Sequence, residues 1–263
     1  MVGSMPHRGS RQEGEAAASE ADFGFRRVPR EAKAGLVREV FDRVAFRYDL
    51  MNDLMSGGVH RLWKAVMVDH VAPRAGERLL DVAGGTGDVA LRMHERTEGG
   101  ARIAVCDVNE AMVRRGRDRA LDRGVLAGIE WMVGDAEALP LASGGVDAYT
   151  IAFGLRNVSD IARALAEARR VLKPGGRFVC LEFSRVSVPL LGELYRRYSF
   201  TFVPWLGARV TGSREAYQYL VESIRRFPPQ RELARRIAEA GLGLVRFRNL
   251  SGGIAALHSA WRV

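Results

Sequence analysis

Asp81-Val82-Ala83-Gly84-Gly85-Thr86-Gly87-Asp88 is the stretch whose reading decides the fold of this chain. It continues an apolar strand that opens at Arg78-Leu79-Leu80, and a helical pattern follows it. Asp107 ends a second apolar run, Ile103-Ala104-Val105-Cys106, twenty residues beyond Gly87. Strand, glycine turn, helix and distant carboxylate together describe a nucleotide-like site. Glycines such as Gly85 and Gly87 let backbone approach a ligand where a Cβ would stand in the way. Asp107 is placed to accept hydrogen bonds from both hydroxyls of a ribose.

Two ligands compete for that ribose. Gly85-Thr86-Gly87-Asp88-Val89-Ala90 satisfies the loose dinucleotide pattern GxGxx(G/A), which keeps an NAD-dependent oxidoreductase open. A pyrophosphate, however, needs a helix N-terminus free of like charge, and this turn is flanked by Asp81 and Asp88. S-adenosylmethionine (SAM) carries no phosphate and presents a sulfonium and an ammonium, so the acidic turn favours it. Asp88 as a plain helix cap is the competing reading.

The chain has 263 residues, 47% of them hydrophobic, enough for one domain with additions. No apolar run approaches the roughly 18 residues of a membrane span. Cys106 and Cys180 fall inside apolar strands and read as small buried residues of a reducing compartment. Residues 1–30 have little apolar periodicity and read as a disordered tail. The acids in that tail and the lack of a continuous apolar leader predict a cytoplasmic location. Net charge is +9, and Arg185 to Arg236 holds ten arginines against four glutamates. Aromatic and aliphatic residues interleave there, which suits an anionic membrane surface or a greasy substrate better than nucleic acid. The expectation is a protein peripheral to the inner face of the membrane. An ordinary amphipathic helix is the alternative.

From Arg78 onward strands and helices alternate, which implies a parallel sheet covered on both faces. Strands are expected at 78–82, 102–107, 129–134, 146–152 and 176–183, with helices near 87–96, 109–123, 159–172, 190–204, 213–226 and 229–240. Pro174-Gly175-Gly176 turns the chain into the fifth strand. Two last strands, 242–249 and 254–261, join through Ser251-Gly252-Gly253 as a hairpin. The chain thus divides into a tail at 1–30, a helical cap at 31–75, a SAM-binding core at 76–184, a basic, aromatic helical insertion at 185–241 and terminal strands at 242–263. The cap is expected to cover the carboxyl ends of the strands, where open α/β sheets bind ligands.

Three runs carry a family resemblance. Tyr48-Asp49-Leu50-Met51-Asn52-Asp53-Leu54-Met55-Ser56-Gly57-Gly58-Val59-His60-Arg61-Leu62-Trp63 resembles the N-terminal signature of the ubiquinone/menaquinone biosynthesis C-methyltransferases. Arg170-Val171-Leu172-Lys173-Pro174-Gly175-Gly176, running on to Leu181-Glu182-Phe183-Ser184, resembles their second signature. Phe153-Gly154-Leu155-Arg156-Asn157-Val158 lies between, and the likeness extends over about residues 23–263. It implies a Rossmann-like class I SAM-dependent methyltransferase with a mostly parallel seven-stranded sheet and a terminal antiparallel hairpin. It implies methyl transfer from SAM to a ring carbon of 2-methoxy-6-polyprenyl-1,4-benzoquinol or demethylmenaquinol, and a place in a quinone-biosynthesis protein complex. By motif, Thr86 belongs to the glycine turn, Asp107 to the ribose, and Asp135 and Ala136 to the adenine. Ala152 stands where the family often has a cofactor-contacting serine.

Carbon methylation needs a ring oxyanion to push electron density onto the neighbouring carbon. Arg156, at the carboxyl edge of the sheet, is the first candidate to stabilise that oxyanion, with Asn157 orienting it or a bridging water. Pairing of Arg156 with a structural carboxylate is the alternative. His60 is the base that titrates near neutrality, or a residue that only caps its helix. Glu182, at the end of the fifth strand, either takes the proton instead or only orients the lid. Tyr48, Asp49 and Trp63 are expected to shape the substrate pocket. No metal-ligand spacing accompanies them, so no metal is expected. A non-catalytic quinone-intermediate binding or assembly factor remains the non-enzymatic rival.

Overall fold

The computed structural model describes residues 20–44, 56–186 and 214–263 of the chain. Residues 1–19, 45–55 and 187–213 lie outside them, and with them Tyr48, Asp49, the helix expected at 190–204 and three of the ten arginines of the basic segment.

Seven strands form one sheet: β3 (Arg78–Val82), β4 (Arg102–Asp107), β5 (Ile129–Val133), β6 (Val146–Ala152), β7 (Leu172–Phe183), β8 (Gly243–Leu250) and β9 (Ala255–Trp261). Their order is β5-β4-β3-β6-β7-β9-β8. The first five are parallel, and β9 enters antiparallel between β7 and β8. After β3 the chain works outward to β5, then crosses back to lay β6 against the other edge of β3. The sheet therefore reverses direction between β3 and β6, and a crevice opens at their carboxyl ends.

Alternating residues send side chains to opposite faces. Leu79, Ile103, Val105, Val179 and Leu181 pack beneath α2 (His60–Val71) and α3 (Asp88–Arg96). Leu80, Cys106, Tyr149, Ile151 and Cys180 face α5 (Ile161–Val171) and α7 (Gln230–Glu239). Both cysteines are free and buried. The sheet is completed by α4 (Glu110–Asp122), preceding β5, and α6 (Arg214–Arg226), preceding α7. Among the described residues no helix is long and apolar enough to cross a membrane.

Two expectations need correction. The segment read as a tail to residue 30 contains a hairpin, β1 (Glu20–Phe23) with β2 (Arg26–Pro29), leading into α1 (Arg30–Val44). Gly24 makes its turn at φ +60 and packs tightly against Glu222, while Ala21 and Val28 point inward. Four-residue strands are too short to show periodicity, and the surface that stabilises them belongs to α6, distant in sequence. The fifth parallel strand also begins earlier than expected, at Leu172. Leu172 pairs with Val146 before a register shift that absorbs Pro174-Gly175-Gly176.

At the reversal the loops leaving β3 and β6 touch. Ala83 and Phe153, neither a glycine, adopt φ of 50° and 57°. A Cβ on Gly154 would stand 2.3 Å from that of Ala83. Gly154→Ala is therefore expected to force the loops apart and cost about 1–3 kcal/mol. An unchanged urea midpoint and slope would contradict this.

Candidate active site

The crevice is a cleft lined by Ala83, Gly85, Asp107, Asp135, Ala136, Phe153, Gly154, Asn157 and Val158. Ala34, Val37 and Arg38 of α1 close one side of it. Its floor forms because the glycine turn folds back on the strands. A Cβ on Gly84 would lie 2.7 Å from Val105 and 2.9 Å from Asp81 Oδ2. Gly85, at φ +55, donates its N–H to Asp107 Oδ2 at 2.8 Å. Asn109 N–H donates to Asp107 Oδ1 at 2.9 Å, while the Asn109 side chain caps α4. Asp107 is thus clamped between turn and helix, with one lone pair per oxygen left for a diol. Burial pushes its carboxyl up, and the two amides oppose that shift.

The acidic flanks of the turn differ from one another. Asp81 is 1% exposed; its Oδ1 accepts from Thr150 Oγ1 at 2.8 Å, and its Oδ2 has no partner. Burial lifts its pKa to about 7 against the opposing pull of Thr150 and Lys64, and Asp88 and Asp107 add to the rise. Burial acts on Asp88 too, yet Lys64 at 3.0 Å, then Arg92 and Arg119, hold it down at about 2. The sequence argument counted both carboxylates as facing a cationic ligand. Tertiary structure gives the Asp88 charge to Lys64, and only Asp81 keeps an unengaged oxygen. Asp81 was missing from the expected contacts, although an acid ending an apolar strand before a glycine turn was its visible signal.

The expected site residues separate. Gly85, Asp107, Asp135, Ala136 and Asn157 meet in the cleft. Thr86 and Gly87 do not line it: Thr86 accepts from Arg119, and a Cβ on Gly87 would strike Trp131 at 2.3 Å. Ala152 is also absent from the lining. Trp63 is core: it packs on Phe153 and Phe183 at centroid distances of 6.3 and 6.0 Å, and its indole N–H donates to Ser251 Oγ. It supports the cleft through Phe153 and does not line it. His60 is buried beside Ser56 Oγ, 3.0 Å from Nδ1. It borders a separate polar pocket with Arg61, Asp88, Arg92 and Arg119, none of which reaches the cleft. The His60 ring meets Ser56 Oγ, which also accepts from the His60 amide at 3.2 Å, and it makes no side-chain cap on α2.

Arg156 does pair with a carboxylate. Its side chain and that of Glu182 are each 1% exposed, with Nη1 3.0 Å from Oε2. Glu182 also accepts from the Arg156 and Phe183 amides, both at 3.1 Å, and Nη1 also donates to the Phe153 carbonyl. Burial raises the Glu182 carboxyl, and Arg156 opposes the rise. With both oxygens engaged, Glu182 anchors Arg156 and is no free proton acceptor. Arg156 Nε and Nη2 remain without partners. Arg156 also borders a second polar cavity, which shares Val158 and Ser159 with the cleft.

Solved structures share this architecture. A SAM-dependent methyltransferase of Thermotoga maritima superposes with TM-score 0.62 at 20% identity, over 86% of this chain and 99% of its own. Geranyl diphosphate C-methyltransferase of Streptomyces coelicolor, solved with S-adenosyl-L-homocysteine, gives 0.57 at 19% identity over 80% and 82%. The fold is that of the class I SAM-dependent methyltransferases. The model of the ubiE/COQ5 methyltransferase family matches residues 27–262, and the chain belongs to that family. It is 58% identical to the ubiquinone/menaquinone biosynthesis C-methyltransferase of Paracoccus denitrificans, over 93% of this chain and 97% of the relative. The Acidiphilium cryptum protein of the same description is 56% identical over 95% and 99%. Family membership decides the donor in favour of SAM over NAD.

Asp107, clamped between the turn and α4, fits a ribose diol from within the cleft. Asp81 lies beneath Gly84, outside the lining, and its unengaged carboxylate is expected to attract the SAM cation through that floor. Below its pKa near 7 Asp81 is neutral and offers no attraction to a cation; above it the carboxylate is ionised. SAM affinity measured by calorimetry is therefore expected to rise between about pH 6 and pH 8. Asp81→Asn should flatten that rise, and an equally steep profile in the variant would remove Asp81 from the site.

Proposed function

We propose that this protein transfers a methyl group from SAM to a ring carbon of a polyprenylated quinol, either 2-methoxy-6-polyprenyl-1,4-benzoquinol, demethylmenaquinol or both. The observation that carries this reading is the buried guanidinium of Arg156. It is held rigid by Glu182, has two unpartnered donors, and stands beside the cleft expected to hold the methyl donor. The part in ubiquinone and menaquinone biosynthesis named for the Paracoccus and Acidiphilium relatives supports the choice of acceptor.

When bound, SAM would supply an electrophilic methyl that bonds to the ring carbon as its bond to sulfur breaks, and the proton on that carbon then leaves to solvent as the ring regains aromaticity. The chain must hold the ring beside it and favour the phenolate. A phenol near pKa 10 needs about three units of help at neutral pH, or about 4 kcal/mol. One preorganised donor aimed at a developing oxyanion is worth about 2.7–4 kcal/mol. The two free donors of Arg156, fixed in a water-poor setting, are therefore of the right size for the task. Arginine stays protonated throughout, so it stabilises the oxyanion and does not take its proton. Asn157, on the cleft side of the same short helical turn, adds a contact from the other direction.

Arg156→Lys retains the charge opposite Glu182 but loses the planar fork. It should reduce turnover by about 10²-fold or more while SAM affinity stays close to wild type. Labelled SAM with each quinol analogue measures this; undiminished turnover would exclude the proposed role.

The acceptor's prenyl chain and the arginines between Arg185 and Arg236 fit work at the inner face of a membrane. Flotation should show binding to anionic vesicles that weakens with salt. Equal recovery with neutral vesicles would count against it.

A further inference from the structure

Tyr219 of α6 touches the site from outside and has no role in the reading above. Its ring is 6% exposed, and its hydroxyl lies 3.1 Å from Asn157 Oδ1. Phe23 of the N-terminal hairpin stacks on it at a centroid distance of 4.4 Å and 26° between planes. The hairpin is fastened to the same helix twice more: Phe25 N–H donates to Glu222 Oε2 at 2.9 Å, and Arg226 lies over the Phe25 ring. Burial pushes the Tyr219 phenol well up, with Arg156 and Glu182 acting in opposite directions on it, so the hydroxyl keeps its proton and remains a donor.

An asparagine amide has one accepting end and one donating end, and here the Tyr219 hydroxyl donates to the accepting end. With Oδ1 engaged by Tyr219, the NH2 of Asn157 is directed away from α6, and it has no partner among the described residues. Asn157 lines the cofactor cleft. We propose that Tyr219 is a positioning residue that turns the Asn157 amide so that its NH2 serves as a donor to the acceptor's ring oxygen, and that the N-terminal hairpin holds Tyr219 in place. This rests on the quinol reading for the identity of the oxygen, but the amide's orientation does not.

Tyr219→Phe keeps the stacked ring and removes the donor. In the full chain it should lower kcat on the order of tenfold, the effect of one well-placed hydrogen bond, with little change in SAM affinity. In an Asn157→Ala background the same substitution should do nothing further, because Tyr219 acts only through that amide. A merely structural role would give equal losses in both backgrounds. Phe23→Ala should reproduce the pattern with a smaller loss. The second readout is the side-chain NH2 resonance pair of Asn157 in labelled protein, identified by its absence in Asn157→Ala. It should shift in Tyr219→Phe. Wild-type kcat in Tyr219→Phe, equal losses in both backgrounds, or an unmoved NH2 pair would each overturn the proposal. A wild-type protein that methylates neither quinol would defeat the acceptor assignment, while the resonance still decides the orientation of the amide.

Discussion

The ion pair between Arg156 and Glu182 ties the exit of β6 to the end of β7. Replacing a buried pair of this kind with apolar residues is often neutral or stabilising, whereas removing one partner costs about 3–5 kcal/mol. Its value here is placement. Glu182 receives the amide and guanidinium of Arg156 together, which fixes the short turn Leu155–Asn157. That turn places Asn157 in the lining of the cleft and Arg156 in that of the neighbouring polar cavity. The positive φ of Phe153 and the missing side chain at Gly154 are the local conditions for it.

The glycine turn is held by the same logic of compensated charge. Lys64 enters from α2 to neutralise Asp88, which leaves Asp81 as the carboxylate with an unengaged oxygen. The chain has only three lysines, and each one fastens something: Lys33 Nζ donates to the Val158 carbonyl, Lys64 pairs with Asp88, and Lys173 pairs with Asp147. An ammonium on a flexible stem fits where a planar guanidinium would need more room. Burial lowers Lys33 to about 8, although Asp22 and Glu137 pull it upward. The helix that carries Lys33 also supplies Ala34 and Val37 to the cleft, so the N-terminal cap and the loop after β6 share one wall.

Much of the fold was legible in the sequence because its strands alternate apolar side chains between two faces and are punctuated by glycine. The strands at 78–82, 102–107 and 146–152 lie where periodicity placed them. The N-terminal hairpin was not legible, since its stability comes from Phe23 on Tyr219 and Phe25 on Glu222, contacts across almost two hundred residues. Within the site, Gly85 and Asp107 followed from the order strand, turn, strand, Asp135 and Ala136 from the family resemblance, and Arg156 with Asn157 from the end of β6. His60 and Trp63 do not line the cleft among the described residues, because a residue type and a neighbouring motif do not say which way a helix presents its side chains.

Residue order alone therefore determined the donor site, the parallel sheet and the family, all of which depend on local periodicity and contiguous motifs. Tertiary structure alone decided which charges are available to a ligand. Asp81 and Asp88 sit seven residues apart on the same turn and look alike in the sequence. One meets Lys64 and the other meets only a threonine, and that difference is set by how α2 packs against the sheet.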